Sequence, residues 1–334
     1  MNAAIIGAGS WGTALANNLA ENGHRLRLWD IDGGLLGDIS KERENKKYLP
    51  GYKLKDGIEI SETLAACVRE ADFVITAVPA QHFRSALAAA LPDIKEDAII
   101  INVAKGIEIS SQKTPSEIYK ELGSERPFAV LSGPSHAEEV AEGMPTTVTA
   151  ASLDEKTAAA VQDLFMNNKF RVYTLDDVIG VELGGAMKNV IALGAGIIDG
   201  MGYGDNTKAA LMTRGLTEMA RLGAGMGAQR ETFFGLTGIG DLIVTCTSRH
   251  SRNRRCGIMI GEGVPPQEAI AKVGMIVEGV PTAEAANALA KKLGVELPIT
   301  AAICRVLSGE APPAAEMTAL MTRGKKHEYE GFQV

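Results

Sequence analysis

A chain of 334 residues with 46% hydrophobic content can bury a full core, and its length favours two domains over one. With 34 basic against 41 acidic residues the net charge is −7, which disfavours a general nucleic-acid binder. The cysteines, Cys67, Cys246, Cys256 and Cys304, form no C-x-x-C pair, which argues against a structural zinc site or a disulfide framework and suits a reducing cytoplasm.

The chain opens with an apolar segment, Asn2 to Ile6, that reads as a buried parallel strand. It runs into Gly7-Ala8-Gly9-Ser10-Trp11-Gly12, and Thr13 to Glu21 then reads as a helix. The spacing is G-x-G-x-x-G. Gly7 allows the tight turn, Gly9 lets the backbone approach a pyrophosphate, and Gly12 lets the helix pack closely. The diphosphate would rest on free amides at the helix start. A second strand, Arg25 to Asp30, ends in an acid 18 positions after Gly12. Strand, loop, helix and acid together indicate a dinucleotide site. So early a strand leaves no room for a secretory signal, and no apolar run reaches the ~20 residues of a membrane span. The expectation is a soluble, intracellular protein.

Further strands are expected at Ile58 to Ser61, Asp72 to Val78, Ala98 to Val103, Phe128 to Leu131, Thr146 to Ala150 and Arg171 to Thr174. Helical patterns intervene near 35–44, 62–70, 81–90, 115–121 and 155–165. This alternation predicts an α/β, doubly wound and mostly parallel sheet over residues 1–178. Glycine is 37 of 334 residues, against a usual share of ~7%, and much of it falls between apolar runs. After about Asp177 strand patterns nearly vanish. Helices are expected at 178–199, 207–226, 253–262, 266–271, 282–293 and 299–308, giving an all-α domain over 179–334. The polar tail from Arg323 is expected to be loosely held.

Several side chains stand out. Lys188 has Gly184, Gly185, Ile191 and Ala192 as its helical neighbours and no acid three or four residues away. Such a lysine either snorkels or points into a site, where low-dielectric surroundings suit a general base. Lys105 sits between a buried strand and Gly106, at the carboxyl edge of the sheet where ligands bind. Gly238-Ile239-Gly240-Asp241 precedes a run with four arginines, Thr247 to Arg255. Ser251 is a candidate N-cap there, and a helix start with arginine makes a phosphate site, although a solvated charge run has the same pattern. Asp241 is either a turn former or a carboxylate that orients a lysine. His136 with Glu138 and Glu139 suits the first turn of a helix better than a metal site. No metal is expected.

These segments together resemble the bacterial NAD(P)-dependent glycerol-3-phosphate dehydrogenases. The matching stretches are Gly7–Ala14, Asn102–Glu108, Leu131–Ala137, Lys188–Ala192, Gly202–Ala210, Gly238–Leu242 and Ser251–Arg254, in order across nearly the whole chain. The resemblance implies a Rossmann-like first domain and a second domain like the C-terminal domain of 6-phosphogluconate dehydrogenase. It implies reversible hydride transfer between NAD(P)H and dihydroxyacetone phosphate, giving sn-glycerol 3-phosphate for glycerophospholipid synthesis. Carried over, Lys188 is the proton acceptor, with Lys105 and Asp241 orienting and polarising. Lys105, Gly133, Ser135, Lys188, Asp241, Ser251, Arg252 and Asn253 match substrate contacts. Ser10, Trp11, Lys105, Ala137, Arg252, Ile276 and Glu278 match cofactor contacts, beside Gly7, Gly9, Gly12 and Asp30. A homodimer is implied as well.

One departure concerns the cofactor. Many relatives carry arginine or histidine just after the second strand, whereas this chain has Trp29-Asp30-Ile31-Asp32. An acid there hydrogen-bonds the ribose hydroxyls of NAD and repels the extra phosphate of NADP. NAD is the expected preference, with NADP possible. Competing readings are a related dehydrogenase for another hydroxyacid or sugar phosphate, a UDP-sugar oxidase needing a cysteine nucleophile such as Cys256, and an NADH-binding sensor without turnover. The presence of Lys188 argues against the sensor.

Overall fold

The computed structural model describes residues 1–328. The chain forms two compact units, the first of Met1–Lys105 with Pro115–Val181, the second of Gly106–Thr114 with the residues from Glu182 onward.

The first unit carries eight strands: β1 (Asn2–Ile6), β2 (Arg25–Trp29), β3 (Ile58–Ile60), β4 (Phe73–Thr76), β5 (Ile99–Asn102), β6 (Phe128–Ser132), β7 (Thr146–Ala151) and β8 (Phe170–Leu175). Their order is β3-β2-β1-β4-β5-β6-β7-β8. Successive residues of β1 enter different cores, as a period of two requires. Ala3 and Ile5 pack with Leu15, Leu28 and Phe165 on one face, Ala4 and Ile6 with Phe83, Leu87 and Ile100 on the other. Burial of both faces explains why β1, β4 and β5 read as apolar runs, whereas β2 and β8 alternate. The order reverses between β1 and β4, where a doubly wound sheet opens its ligand crevice.

The sheet is parallel from β3 through β6, as expected, but β7 pairs with β6 antiparallel and β8 follows β7. The link from β6 to β7 holds one five-residue helix, Ala137–Ala141. That is too short to carry the chain back across a sheet face, so β7 returns in the opposite direction. Glu155–Phe165, with 11 residues, does make such a crossover.

The second unit is helical: Asp205–Gly225, Asp241–Thr247, Arg252–Gly261, Pro266–Val273, Gly279–Leu293, Pro298–Leu307 and Pro313–Met321 follow Val178–Gly200. Prolines open three of these helices, and left-handed Gly274 and Gly294 close two. Val178–Gly200 is, among the described residues, the one helix long and apolar enough to cross a membrane. This corrects the expectation that no segment reaches that length. Its apolar window is wholly buried in protein, which accounts for the composition. In the tail, Arg323 and Lys326 both pair with Glu296, so this part is tied down, while residues 329–334 lie outside the described residues.

Glycines inside helices, not only in loops, set the packing of this unit. A Cβ on Gly196 would stand 2.1 Å from the carbonyl oxygen of Arg254, and one on Gly200 2.1 Å from that of Ile258. Gly257 and Gly261 face the carbonyls of Leu193 and Ile197 just as closely, at 2.1 and 2.2 Å. Backbone therefore touches backbone between Val178–Gly200 and Arg252–Gly261. Further along the first of these helices, Gly184 meets the carbonyl of Thr237, at 2.5 Å.

Candidate active site

In the first unit, Gly7 leaves β1 at φ +111°, and a Cβ there would lie 2.6 Å from the carbonyl oxygen of Ala77. A Cβ on Gly12 would lie 2.0 Å from the carbonyl oxygen of Gly7. Gly9 differs, since a Cβ there would meet nothing within 4 Å. Helix Ser10–Glu21 begins directly after it with no side-chain cap. Its first amides, including that of Ser10, therefore lie beyond the intrahelical ladder next to open space. The buried Nε1 of Trp11 has no hydrogen-bond partner. An open backbone approach, an uncapped helix start and an orphaned indole donor fit a dinucleotide diphosphate.

Asn45, which the sequence reading passed over, braces this loop. Its fully buried amide donates to the carbonyl of Ala8, at 2.7 Å, and to Oγ1 of Thr13, at 2.9 Å. Asp30 is held as well: Oδ2 accepts from the amide of Ala8, at 2.7 Å, and Oδ1 from that of Asp32, at 2.9 Å. Asp32 caps helix Gly33–Glu42, accepting from the amide of Leu35 at 3.0 Å. Its other oxygen pairs with Nζ of Lys47, at 3.0 Å. These bonds, the amide of Leu35 first, hold the Asp32 carboxyl below the usual range.

Lys105 follows a turn built by Asn102, whose Oδ1 accepts from the amide of Ala104, at 3.1 Å, and whose amide donates to the same residue's carbonyl, at 3.1 Å. An asparagine at a strand end is the sequence signal for such a turn. Lys105 Nζ donates to the carbonyl of Gly133, at 2.9 Å, and approaches Oγ of Ser135, at 3.4 Å. Gly133 takes φ +139°, where a Cβ would press on Val148 at 2.9 Å. The structure thus brings Lys105, Gly133 and Ser135 together. Ala137 starts the short helix after them and is buried beside Trp11, Ala14 and Leu49.

In the second unit, Lys188 lies on Val178–Gly200 with its side chain 8% exposed. Nζ donates to Oδ1 of Asp241, at 2.5 Å, and to Oγ1 of Thr245, at 2.8 Å. The missing helical counter-ion comes from 53 residues away. Asp241 is presented by a wide π turn, Leu236–Gly240, in which the amide of Gly240 reaches back to the carbonyl of Gly235. Ser251 caps Arg252–Gly261 as expected, accepting from the amide of Arg254 at 3.2 Å. Arg252 is the first residue of that helix and is half-buried.

The Asn253 side chain is already engaged. Nδ2 donates to Oδ1 of Asn189, at 2.9 Å, and Oδ1 accepts from the amide of Gly279, at 2.8 Å. Its backbone amide, a helix-start donor, and the second Nδ2 proton remain for a phosphate. Arg254 is engaged by Asp199, at 2.7 Å, which also holds Lys208, at 2.5 Å. Asp199 was not singled out by sequence, and its partner Arg254 lies 55 residues away. Ile276 is exposed and Glu278 half-buried, in the turn before helix Gly279–Leu293. Cys256 is buried, which pushes its thiol up to about 11 and makes it a poor nucleophile at neutral pH. Among the described residues no group of three or more His, Cys, Asp or Glu is placed to hold a metal.

Comparison with known proteins spans both units. The family model for the N-terminus of NAD-dependent glycerol-3-phosphate dehydrogenase matches residues 2–158, and that for the C-terminus residues 177–318. The glycerol-3-phosphate dehydrogenase (NAD(P)+) of Clostridium acetobutylicum is 50% identical over 325 residues, 97% of this chain and 98% of the relative. That of Bacillus subtilis is 51% identical over 329 residues, 98% and 95% of the two chains. The crystal structure of the Coxiella burnetii glycerol-3-phosphate dehydrogenase superimposes with a TM-score of 0.94 at 38% identity, covering 96% of this chain and 99% of that one. A ketopantoate reductase from Ralstonia eutropha, 17% identical, shares the fold alone. With half of its residues identical to such relatives along almost its whole length, the chain belongs to the NAD-dependent glycerol-3-phosphate dehydrogenase family.

Proposed function

We propose that this chain interconverts dihydroxyacetone phosphate and sn-glycerol 3-phosphate with a nicotinamide cofactor, chiefly in the direction of reduction. The observation that carries the reading is the buried contact of Lys188 with Asp241 and Thr245, which fixes an ammonium donor among the buried residues of its helix. The bound nicotinamide supplies the hydride. Lys188 gives its Nζ proton to the oxygen on C2 as negative charge develops there, and takes it back in the oxidative direction. Asp241 and Thr245 hold Nζ in line for that transfer. Lys105, fixed by Gly133 and Ser135, polarises the substrate oxygen. Arg252, with the amides at the start of its helix, holds the substrate phosphate.

The glycine loop takes the diphosphate, with Trp11 and Ala137 beside it, and Ile276 and Glu278 are assigned to the cofactor on the family pattern. Asp30, pinned to the loop, takes the ribose hydroxyls, so NADH is preferred over NADPH. A cytoplasmic homodimer feeding glycerophospholipid synthesis completes the assignment, and sedimentation of the purified chain tests the dimer. Initial rates with dihydroxyacetone phosphate, NADH or NADPH, on the native chain and Lys188→Ala, test the reaction. Turnover with NADH that the variant loses is the expected result. No turnover with either cofactor would overturn the substrate assignment.

A further inference from the structure

The cofactor preference has a second layer in the ion pair of Asp32 with Lys47. Asp30 is saturated on the loop side by the amides of Ala8 and Asp32. Asp32 stands two residues beyond it, with its side chain 43% exposed and one oxygen on Lys47. Lys47 is itself 54% exposed, and its ammonium lies 5.0 Å from the ring centre of Tyr48. The neighbouring Lys46 is committed to Glu42, at 2.5 Å, so Lys47 is the cation facing the acids after β2. In a doubly wound fold this is where the adenosine ribose is read, and a cation there accepts a 2′-phosphate. An exposed ion pair is worth little, so Lys47 can exchange a carboxylate for a phosphate dianion at small cost.

We propose that Lys47 is a latent subsite for the 2′-phosphate of an adenine dinucleotide, held closed by Asp32. This rests on reading the glycine loop as a dinucleotide site. Asp32 holds the subsite closed by repelling the phosphate, since its exposed pair with Lys47 is weak. Asp30 alone then reads the ribose hydroxyls.

Calorimetric binding of ADP-ribose and of 2′-phospho-ADP-ribose separates these roles without turnover. The proteins are the native chain, Asp32→Asn, Lys47→Gln and the double variant. Asparagine also caps helices, so Asp32→Asn keeps the helix start intact. A unit charge gained or lost near 4 Å changes affinity about fivefold in water. Asp32→Asn is therefore expected to bind the 2′-phosphorylated ligand at least tenfold more tightly while ADP-ribose changes little. Adding Lys47→Gln should remove about fivefold of that gain, again leaving ADP-ribose unchanged. Equal affinity of Asp32→Asn and the double variant for the phosphorylated ligand would overturn the role of Lys47. If the native chain binds neither ligand, the loop reading fails and the inference fails with it.

Discussion

Nζ of Lys188 lies 2.5 Å from Oδ1 of Asp241, with the two side chains 8% and 1% exposed. Two opposite charges this well buried compensate each other. Removing one partner of a buried pair costs about 3–5 kcal/mol, whereas replacing both by apolar residues of similar volume is often neutral. Lys188→Met should therefore lower stability by about that amount, and Lys188→Met with Asp241→Leu should recover most of it. Neither should turn over substrate. Thermal melts together with NADH oxidation read both effects. A double variant as unstable as the single would show that the pair is not mutually compensating.

The two candidate phosphate contacts at the start of helix Arg252–Gly261 differ in charge. Arg252 opens the helix, and the Asn253 side chain bonds Asn189 and Gly279. Arg252→Ala removes charge-assisted hydrogen bonds worth about 1.5–3 kcal/mol, so kcat/KM for dihydroxyacetone phosphate should fall roughly 10- to 150-fold. Asn253→Ala acts differently, because it unties the helix start from Gly279. It should lower the melting temperature as well as the affinity for substrate. An Asn253→Ala chain as stable as the native one would mean that this side chain does not hold the helix.

How far these features were legible follows from the range of each signal. The glycine loop, the acid after β2 and the Ser251 cap are local patterns, and the structure places them as read. Strand direction is not local, since the same apolar run serves a parallel or an antiparallel neighbour, and β7 was fixed by the short link before it. Helix Asp241–Thr247 was not expected because Ile243, Val244, Thr245 and Thr247 are β-branched and disfavour helix by propensity. Lys188 was recognised by the absence of a helical counter-ion, and the carboxylate that meets it comes from 53 residues on. Helices over 178–199 and 253–262 were expected, but why Gly196, Gly200, Gly257 and Gly261 lie inside helices is visible only from the packed neighbour.

Those glycines give a paired prediction. Gly196→Ala would press a methyl against the carbonyl of Arg254, which cannot rotate away. Backbone displacement of this kind costs about 1–3 kcal/mol or more, and it moves the helix that carries Arg252. The variant should lose stability, and its KM for dihydroxyacetone phosphate should rise. Gly37 is the control, lying in helix Gly33–Glu42 with nothing within 4 Å of a Cβ. Gly37→Ala should gain about 0.5–1 kcal/mol, because alanine restricts the unfolded chain and favours helix. Equal effects of the two substitutions on the melting temperature would contradict the close contact at Gly196.

Two buried acids of the second unit should move stability in opposite directions with pH. Glu316 is gripped by Arg305 through two bonds, at 2.7 and 2.6 Å, which hold its carboxyl below the usual range. Its contribution is complete above the unfolded value, near 4.5, and is lost as pH falls through the lower folded value. Glu218 caps helix Pro298–Leu307, accepting from the amides of Ile299 and Thr300 and from Oγ1 of Thr300 at 2.5, 3.1 and 2.9 Å. Burial nevertheless raises its carboxyl above the ordinary range. The folded chain then holds this proton where the unfolded chain has released it, so stability falls as pH rises from about 4.5 through the raised folded value. Relative to Glu316→Gln, the native chain should lose its advantage on acidification. Relative to Glu218→Gln, it should gain advantage as pH drops towards 4.5 and then level off. Denaturant midpoints across this range measure both, and the same sign for the two variants would refute the assignment of their opposing environments.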